Sequence, residues 1–268
     1  MGVVNVTPDS FSDGGRWLDA DQAVAHGIDL IHQGADILDV GGESTRPGAS
    51  RPPVEDELRR VLPVVRGLAE SGATVSIDTM RADVARQALD AGAAMVNDVS
   101  GGLADPDMLA AVGGAGVPYV VMHWRGHSAQ MQQRAEYGDV VADVVAELRP
   151  RIDAAHGAGI QPNQLIVDPG LGFAKTAHHN WSLLAHLDAF TALGHPLLVA
   201  ASRKGFLGRL LADPVSGEAR DAADLDDATV AISALAAAAG AWCVRVHQVG
   251  ANADSLRVVA RLAEETHG

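Results

Sequence analysis

The stretch TVSIDTMRADVARQALDAGAAMVND, residues 74–98, decides the fold. It opens with an apolar run, 74–77, that ends on Asp78-Thr79. A helical pattern follows over 81–91, then a turn at Gly92, then a second apolar run, 95–98, ending on Asn97-Asp98. Two short strands joined through one helix lie parallel, because only a parallel pair needs a crossover of that length. The polar residues then stand at one edge of the sheet, where both strands end.

The same unit repeats outward in both directions. Strands are expected at 3–6, 37–40, 74–77, 95–98, 119–122, 165–167, 197–200 and 243–246. Amphipathic helices are expected at 21–33, 55–71, 81–91, 106–112, 140–156, 181–192 and 226–239, with 253–265 closing the chain. Eight such units predict a single-domain α/β protein, a (β/α)8 TIM barrel spanning residues 1–268, and the 268-residue length is near the ~250 typical of that fold. The competing topology, an open doubly wound sheet, calls for a Gly-x-Gly-x-x-Gly turn after the first strand, and Asn5-Val6-Thr7-Pro8-Asp9 is not one. Three strand-to-helix loops, 7–18, 41–53 and 123–138, are longer than a turn requires. In a barrel all such loops emerge on the face that carries the chemistry.

Composition narrows the function. The net charge of −14 disfavours nucleic acid and anionic membrane surfaces as partners, so an anionic ligand must be held by local basic residues. With one cysteine, Cys243, read as a buried structural thiol, neither a disulfide framework nor a cysteine zinc site can form. The front of the chain lacks a basic segment followed by an apolar one, and no apolar run reaches the ~20 residues of a membrane span. The expected location is cytoplasmic and the expected partners are small molecules.

Polar residues in i, i+2 register with the core at a strand's end point into the barrel mouth. Nearly every strand supplies one: Asn5, the run from Gly41 to Pro47, Asp78, Asn97, Asp168, Ser202 with Lys204, and Arg245 with His247. Individually, Asp, Asn and Ser at such places cap helices or form turns. A helix cap has no use for cations, however, and Arg245 and His247 share a strand face. Asp78, Asn97 and Asp168 suit the donor and acceptor edge of a guanidine-like heterocycle. Lys204, Arg245 and His247 follow strands 7 and 8, where many barrels bind phosphate.

With these residues the chain resembles the dihydropteroate synthase family. The resemblance is carried, in order along the chain, by Met1-Gly2-Val3-Val4-Asn5-Val6-Thr7-Pro8-Asp9-Ser10-Phe11-Ser12-Asp13-Gly14-Gly15, Gly41-Gly42-Glu43-Ser44-Thr45-Arg46-Pro47-Gly48, Ser76-Ile77-Asp78-Thr79, Asn97-Asp98-Val99-Ser100-Gly101-Gly102, Asp168-Pro169-Gly170-Leu171-Gly172-Phe173-Ala174-Lys175, Ser202-Arg203-Lys204 and Arg245-Val246-His247. It implies a transferase of folate biosynthesis that condenses 6-hydroxymethyl-7,8-dihydropterin diphosphate with p-aminobenzoate, releasing pyrophosphate. Asp78, Asn97, Asp168 and Lys204 would hold the pterin, with Val99 and Met122 against its faces. Asn5 would ligate Mg²⁺, and Asn5, Arg245 and His247 would hold the diphosphate. The p-aminobenzoate pocket would draw on Phe11, Thr45, Arg46, Pro47, Ser202 and Gly205 once the 7–18 and 41–53 loops fold over the mouth. The residues expected to act in catalysis are Asp78, Lys204, Asn5, Arg245 and His247. The mechanism implied is dissociative, with pyrophosphate leaving before the aniline nitrogen attacks. A carboxylate ~4 Å from a full cation contributes roughly 4 kcal/mol at an effective dielectric near 20, about three decades in rate.

Two departures from the family pattern stand out. Gly205 follows Lys204 where some members have a hydroxyl residue, leaving backbone N–H groups there, and the chain enters strand 1 at once, which predicts weaker barrel closure at that seam. The resemblance also favours a homodimer, whereas sulfonamide sensitivity depends on loop geometry. A pterin-binding methyltransferase domain would share Asp78, Asn97 and Asp168 but have no use for Lys204 or Arg245. A non-catalytic paralogue should have lost Asn5, Asp78, Lys204 or the Thr45-Arg46-Pro47 run. His123 and His127, spaced i, i+4, follow a strand into a loop and are set aside as a metal pair. His178-His179 reads as solvated, and Gly170-Leu171-Gly172 with Lys175 is too short for a phosphate loop.

Overall fold

A computed structural model of the chain describes residues 1–7, 18–44, 51–127 and 131–267. Six strands pair in parallel and in sequence order: β1 (Gly2–Asn5), β2 (Leu38–Gly41), β3 (Val75–Asp78), β4 (Met95–Asp98), β5 (Tyr119–Met122) and β6 (Leu165–Asp168). Two shorter strands, β7 (Leu198–Val199) and β8 (Cys243–Val244), pair with each other. Single bridges complete the ring, Val167 to Leu197 on one side and Gly2 to Val246 on the other. The Val3 N–H donates to the Val246 carbonyl and the Val246 N–H to the Met1 carbonyl, each at 3.0 Å. The sheet is therefore a closed barrel. Strand β1 meets β2 over four residues and, on its other side, bridges to Val246 just beyond β8.

Helices α1 (Leu18–His32), α2 (Val54–Glu70), α3 (Ala82–Asp90), α4 (Met108–Ala115), α5 (Val140–Gly157), α6 (Ala177–Ala185), α7 (Asp188–Thr191), α8 (Gly205–Leu210), α9 (Asp226–Ala238) and α10 (Gly250–His267) surround it. Helix α2 shows why the amphipathic pattern is obeyed: Glu57, Val61, Val64, Val65 and Leu68, spaced three and four apart, are its buried residues. Strand residues buried on both faces read as near-continuous apolar runs, and outward members such as Val4, Val40, Val75, Ile77, Val96 and Val121 join the large core between sheet and helices. Inward members Met95, Val120, Ile166, Leu198 and Ala200, with Met1, form a separate apolar floor inside the barrel. No helix among the described residues is long and apolar enough to cross a membrane.

Two expectations need correcting. The helix expected at 181–192 starts earlier and is broken in two. Thr176 caps α6 by accepting from the His179 N–H, while the His179 ring accepts from the Thr176 N–H, a reciprocal capping box. His179, expected to be solvated, has this structural task. The break falls at His186, whose backbone leaves the helical region (φ −130°, ψ 46°), and Leu187 and Phe190 beyond it turn into the core. Helix α8 is absent from the helices expected from the apolar period because it is too short to show one; its start at Gly205 supplies the backbone N–H groups expected there.

The apolar floor carries the polar mouth above it, so a void in it should be costly. Ile166→Ala, at a side chain 3% exposed, is expected to lower unfolding free energy by about 2–5 kcal/mol in urea titration. A change below about 1 kcal/mol would show that the floor is not tightly packed.

Candidate active site

Alternation along each strand divides the polar motifs into members that enter the barrel and members that staple its outside. On β4, Asn97 points in. Asp98 points out, accepting from the Ser100 and Gly102 N–H groups, the Ser100 hydroxyl and the Tyr119 hydroxyl, all at 2.6–2.8 Å. After β3, Asp78 points in, while Thr79 donates to the buried Glu57 carboxylate at 2.6 Å and Arg81 pairs with the same group at 2.9 Å. In Ser202-Arg203-Lys204 the middle residue leaves the mouth: Arg203 makes a two-point contact with Asp226 at 2.8 and 2.7 Å from a left-handed backbone (φ 58°). That strap ties the loop after β7 to the start of α9. The conformation is uncommon for a residue with a Cβ and is held by its surroundings.

Inside, the central feature is a chain of charges. Asp39, fully buried on β2, accepts from Arg245 Nε at 2.6 Å and from Asn97 Nδ2 at 2.9 Å, both on Oδ2. Arg245 Nη2 donates to Asp78 Oδ2 at 2.7 Å. The register explains the meeting, since Asp39 pairs with Ser76, Gly41 with Asp78 and Asp78 with Asn97 on three adjacent strands. Sequence reasoning passed over Asp39. The signal was there: one carboxylate inside the apolar run Ile37-Leu38-Asp39-Val40, in i, i+2 register with Gly41.

Burial pushes the Asp78 carboxyl up to about 7, with the Arg245 guanidinium pulling it down and Asp39 adding to the rise. Asp168, at the end of β6, is likewise raised by burial and opposed by Lys204. Burial draws the Lys204 ammonium down to about 8 against the pull of Asp168. Lys204 Nζ donates to the Leu171 carbonyl and lies 5.0 Å from the centre of the Phe173 ring. Phe173 joins Met80, Val99 and Met122 in an apolar cluster at the mouth, flanked by Trp124 and Ala104. Phe173 too was missed as a site residue. It lies in a glycine-rich loop, and only the fold brings its ring to Lys204.

His247 is held by Ser202. The Ser202 hydroxyl accepts from the His247 backbone N–H at 3.2 Å and lies 2.9 Å from Nδ1. Burial first, and the neighbouring Arg245 charge second, lower the imidazole to about 3, so it is neutral at physiological pH. With the hydroxyl proton directed to Nδ1, the ring proton resides on Nε2 and is available to an anion. Asn5 closes the ring from the end of β1, paired with Gly41. Gly205 opens α8 with open space where a side chain would stand. Phe11, Thr45, Arg46 and Pro47 lie outside the described residues. His123 and His127 do not come together as a pair. His123 is buried between Lys175 and Glu147, each 2.9 Å from a ring nitrogen, whereas His127 is exposed and packs edge-on against Trp124.

The site is thus a barrel mouth with a flat apolar cluster, a donor–acceptor edge of Asp78, Asn97, Asp168 and Lys204, and a cationic flank of Arg245 beside neutral His247. A family model described as "Pterin binding enzyme" matches residues 1–247, which defines the class of this barrel. The dihydropteroate synthase of Mycobacterium leprae is 57% identical over 260 residues, covering 97% of this chain and 91% of that protein. That of Synechocystis is 43% identical over 263 residues, covering 98% and 89%. Among solved structures, the Xanthomonas albilineans dihydropteroate synthase in complex with 7,8-dihydropteroate superposes with a TM-score of 0.86 at 42% identity, covering 98% of this chain and 92% of that one. The Yersinia pestis dihydropteroate synthase with a sulfonamide drug complex gives 0.90 at 38%, covering 98% and 93%. The chain belongs to the pterin-binding enzymes and, within them, to the dihydropteroate synthase family; it is a transferase.

Asp78 makes the site's titration measurable. Its folded-state value, about 7, is above its ordinary 3.8, so the folded protein holds this proton more tightly. The resulting stability is full below about 4 and is lost as pH rises through about 7. Asp78→Asn should flatten the fall in urea-unfolding free energy between pH 5 and 8. An unchanged slope would assign it to other groups.

Proposed function

We propose that this chain condenses 6-hydroxymethyl-7,8-dihydropterin diphosphate with p-aminobenzoate to give 7,8-dihydropteroate and pyrophosphate by a dissociative substitution. The observation that carries the reading is the juxtaposition, on one mouth, of Asp78, Asn97 and Asp168 beside the Val99, Met122 and Phe173 cluster, with Arg245 and His247 at its edge. A pterin is flat, offers N–H donors along one edge and suits that slot.

Each residue has chemistry to match. Asp78 has one oxygen on Arg245, so its other oxygen can accept from the heterocycle. There its charge offsets the positive charge that spreads over the pterin as the C–O bond to the diphosphate breaks. Arg245 uses one Nε–H and one Nη2–H on carboxylates, and the rest of its five N–H donors remain for the departing diphosphate. His247 adds a neutral N–H donor, and Lys204 beside Asp168 supplies a donor to the ring. Mg²⁺ is the implied cofactor. The donor chemistry fits: the Asn5 carboxamide offers a hard, neutral oxygen at the same mouth, and Mg²⁺ is commonly bound through one or two protein oxygens plus substrate phosphates. When bound there it would neutralise charge on the leaving diphosphate. The aniline nitrogen then captures the pterin methylene cation without a covalent enzyme intermediate. The reading extends to p-aminobenzoate held by Phe11, Thr45, Arg46, Pro47, Ser202 and Gly205, and to a cytoplasmic homodimer. Leu235 of α9 and Val258 and Leu262 of α10, exposed apolar side chains on two packed helices, support the dimer.

The direct experiment mixes the protein with the pterin diphosphate, p-aminobenzoate and Mg²⁺ and follows dihydropteroate and pyrophosphate. Both should appear in equal amounts; no product at any p-aminobenzoate concentration overturns the proposal. Asp78→Ala is expected to lower turnover by about two decades or more while circular dichroism reports an intact fold. Wild-type turnover in that variant would remove Asp78 from the mechanism.

A further inference from the structure

Lys175 is the one buried cation near the mouth, among the described residues, that the proposed reaction does not use. Its side chain, 4% exposed, ends in the loop after β6, and its Nζ makes three hydrogen bonds: to His123 Nδ1 at 2.9 Å, to the Gly170 carbonyl at 3.0 Å and to the Phe173 carbonyl at 3.0 Å. Three acceptors in three directions call for all three N–H groups of an ammonium, since a neutral amine would turn a lone pair toward one of them. His123 fits this role. Burial and the Lys175 charge lower its imidazole to about 3, and its Nε2 lies 2.9 Å from Glu147, leaving Nδ1 unprotonated toward Lys175.

Burial draws the Lys175 ammonium well below its ordinary range, with Asp168 the strongest opposing pull, and no carboxylate touches Nζ among the contacts above. Two neutral carbonyls could be joined by a neutral donor at lower cost. The charge therefore has another counterpart, and the loop identifies it. Gly170, whose carbonyl receives Lys175, gives its own N–H to Asp168 Oδ1 at 2.7 Å. A Cβ on Gly170 would stand 2.3 Å from the His123 carbonyl, at a left-handed φ of 71°, so the peptide is wedged in that orientation. Phe173, whose carbonyl is the other acceptor, places its ring at Lys204 and in the apolar cluster. Between Phe173 and Lys175 stands Ala174 at φ 48°, a left-handed residue with a Cβ, whose carbonyl accepts from the Tyr137 hydroxyl at 3.0 Å. Such a backbone persists only where its surroundings over-determine it.

We infer that Lys175 is a positioning residue of the pterin site: through the Gly170 peptide it orients Asp168, while the Phe173 carbonyl and His123 anchor its ammonium. Lys175 itself does not touch substrate. The inference rests on the reading of this mouth as a pterin site. It distinguishes a residue that tunes one ligand-binding carboxylate from one that merely closes a loop.

The test is a double-mutant cycle read by calorimetric binding of 6-hydroxymethyl-7,8-dihydropterin, which carries no diphosphate and so reports ring recognition alone. Wild type, Lys175→Met, Asp168→Asn and the double variant are compared. Lys175→Met is expected to weaken binding by about 30-fold. The double variant is expected to bind no more weakly than Asp168→Asn, because a residue that acts through Asp168 has nothing left to orient. Losses that multiply, or binding by Lys175→Met within twofold of wild type, overturn the inference. If Lys175→Met does not fold, Lys175→Gln, which keeps a donor for one carbonyl, takes its place in the cycle. A wild-type protein that binds no pterin would instead overturn the functional reading, so the two failures are distinguishable.

Discussion

The guanidinium of Arg245, gripped by Asp39 through Nε and by Asp78 through Nη2, is the contact on which the rest of the mouth depends. It sits inside a parallel barrel above an apolar cluster, and a guanidinium in such a place must be paired. Asp39 meets this requirement from β2 and Asp78 from β3, while the same Asp39 oxygen fixes the carboxamide of Asn97 on β4. Three strands and the last one are thereby registered by side chains as well as by the backbone ladder. The barrel closes through two single bridges, and one of them, between Gly2 and Val246, lies next to Arg245 in the chain. A pair of charges at ~4 Å interacts by roughly 4 kcal/mol at an effective dielectric of 20, comparable to an appreciable part of a domain's stability. Removing one partner would leave the other buried and alone, so binding chemistry and barrel integrity share the same atoms here.

Around that centre each polar motif does two tasks because strand alternation splits it. Asp78, Asn97 and Lys204 enter the mouth. Thr79, Asp98 and Arg203, each one residue away, bind Glu57, the β4 loop and Asp226 on the outside. The outward members fix where each strand ends and its loop begins, and this sets the direction of the inward members. Arg203 illustrates the cost, since its two-point contact with Asp226 holds a left-handed backbone that flanks Lys204. Precision at the mouth is achieved by strain and ion pairs placed behind it.

How much of this was legible in the sequence depends on the range of the interaction. The eight strands were readable because burial on both faces forces short Val- and Ile-rich runs, and the mouth residues were readable because alternation and strand ends are local. What could not be read were consequences of closure. Asp39 is one polar residue in an apolar run, and it acquires meaning only when Arg245, 206 positions away, arrives beside it. Lys175 and His123, 52 positions apart, were read separately, one as the end of a glycine-rich run too short for a phosphate loop and the other as following a strand into a loop. The break at His186 was hidden because the apolar period continues through it. The residues proposed for p-aminobenzoate, Phe11, Thr45, Arg46 and Pro47, rest on family resemblance and fall in segments outside the described residues.

The protonation states of the mouth complete the physical picture. Asp39 and Asp168, both buried, and Asp78 beside them stand near Arg245, Lys204 and Lys175, so groups of each sign have counterparts of the other. His247 adds a donor without adding charge, because Arg245 and burial keep it neutral. Such a mouth suits a neutral heterocycle met through directed hydrogen bonds. At the edge stand N–H groups of Arg245 and His247 that internal pairing leaves over, donors suited to an anion. In a chain with a net charge of −14 such donors matter: long-range attraction for an anion is lacking, so any hold on one must come from short-range contacts.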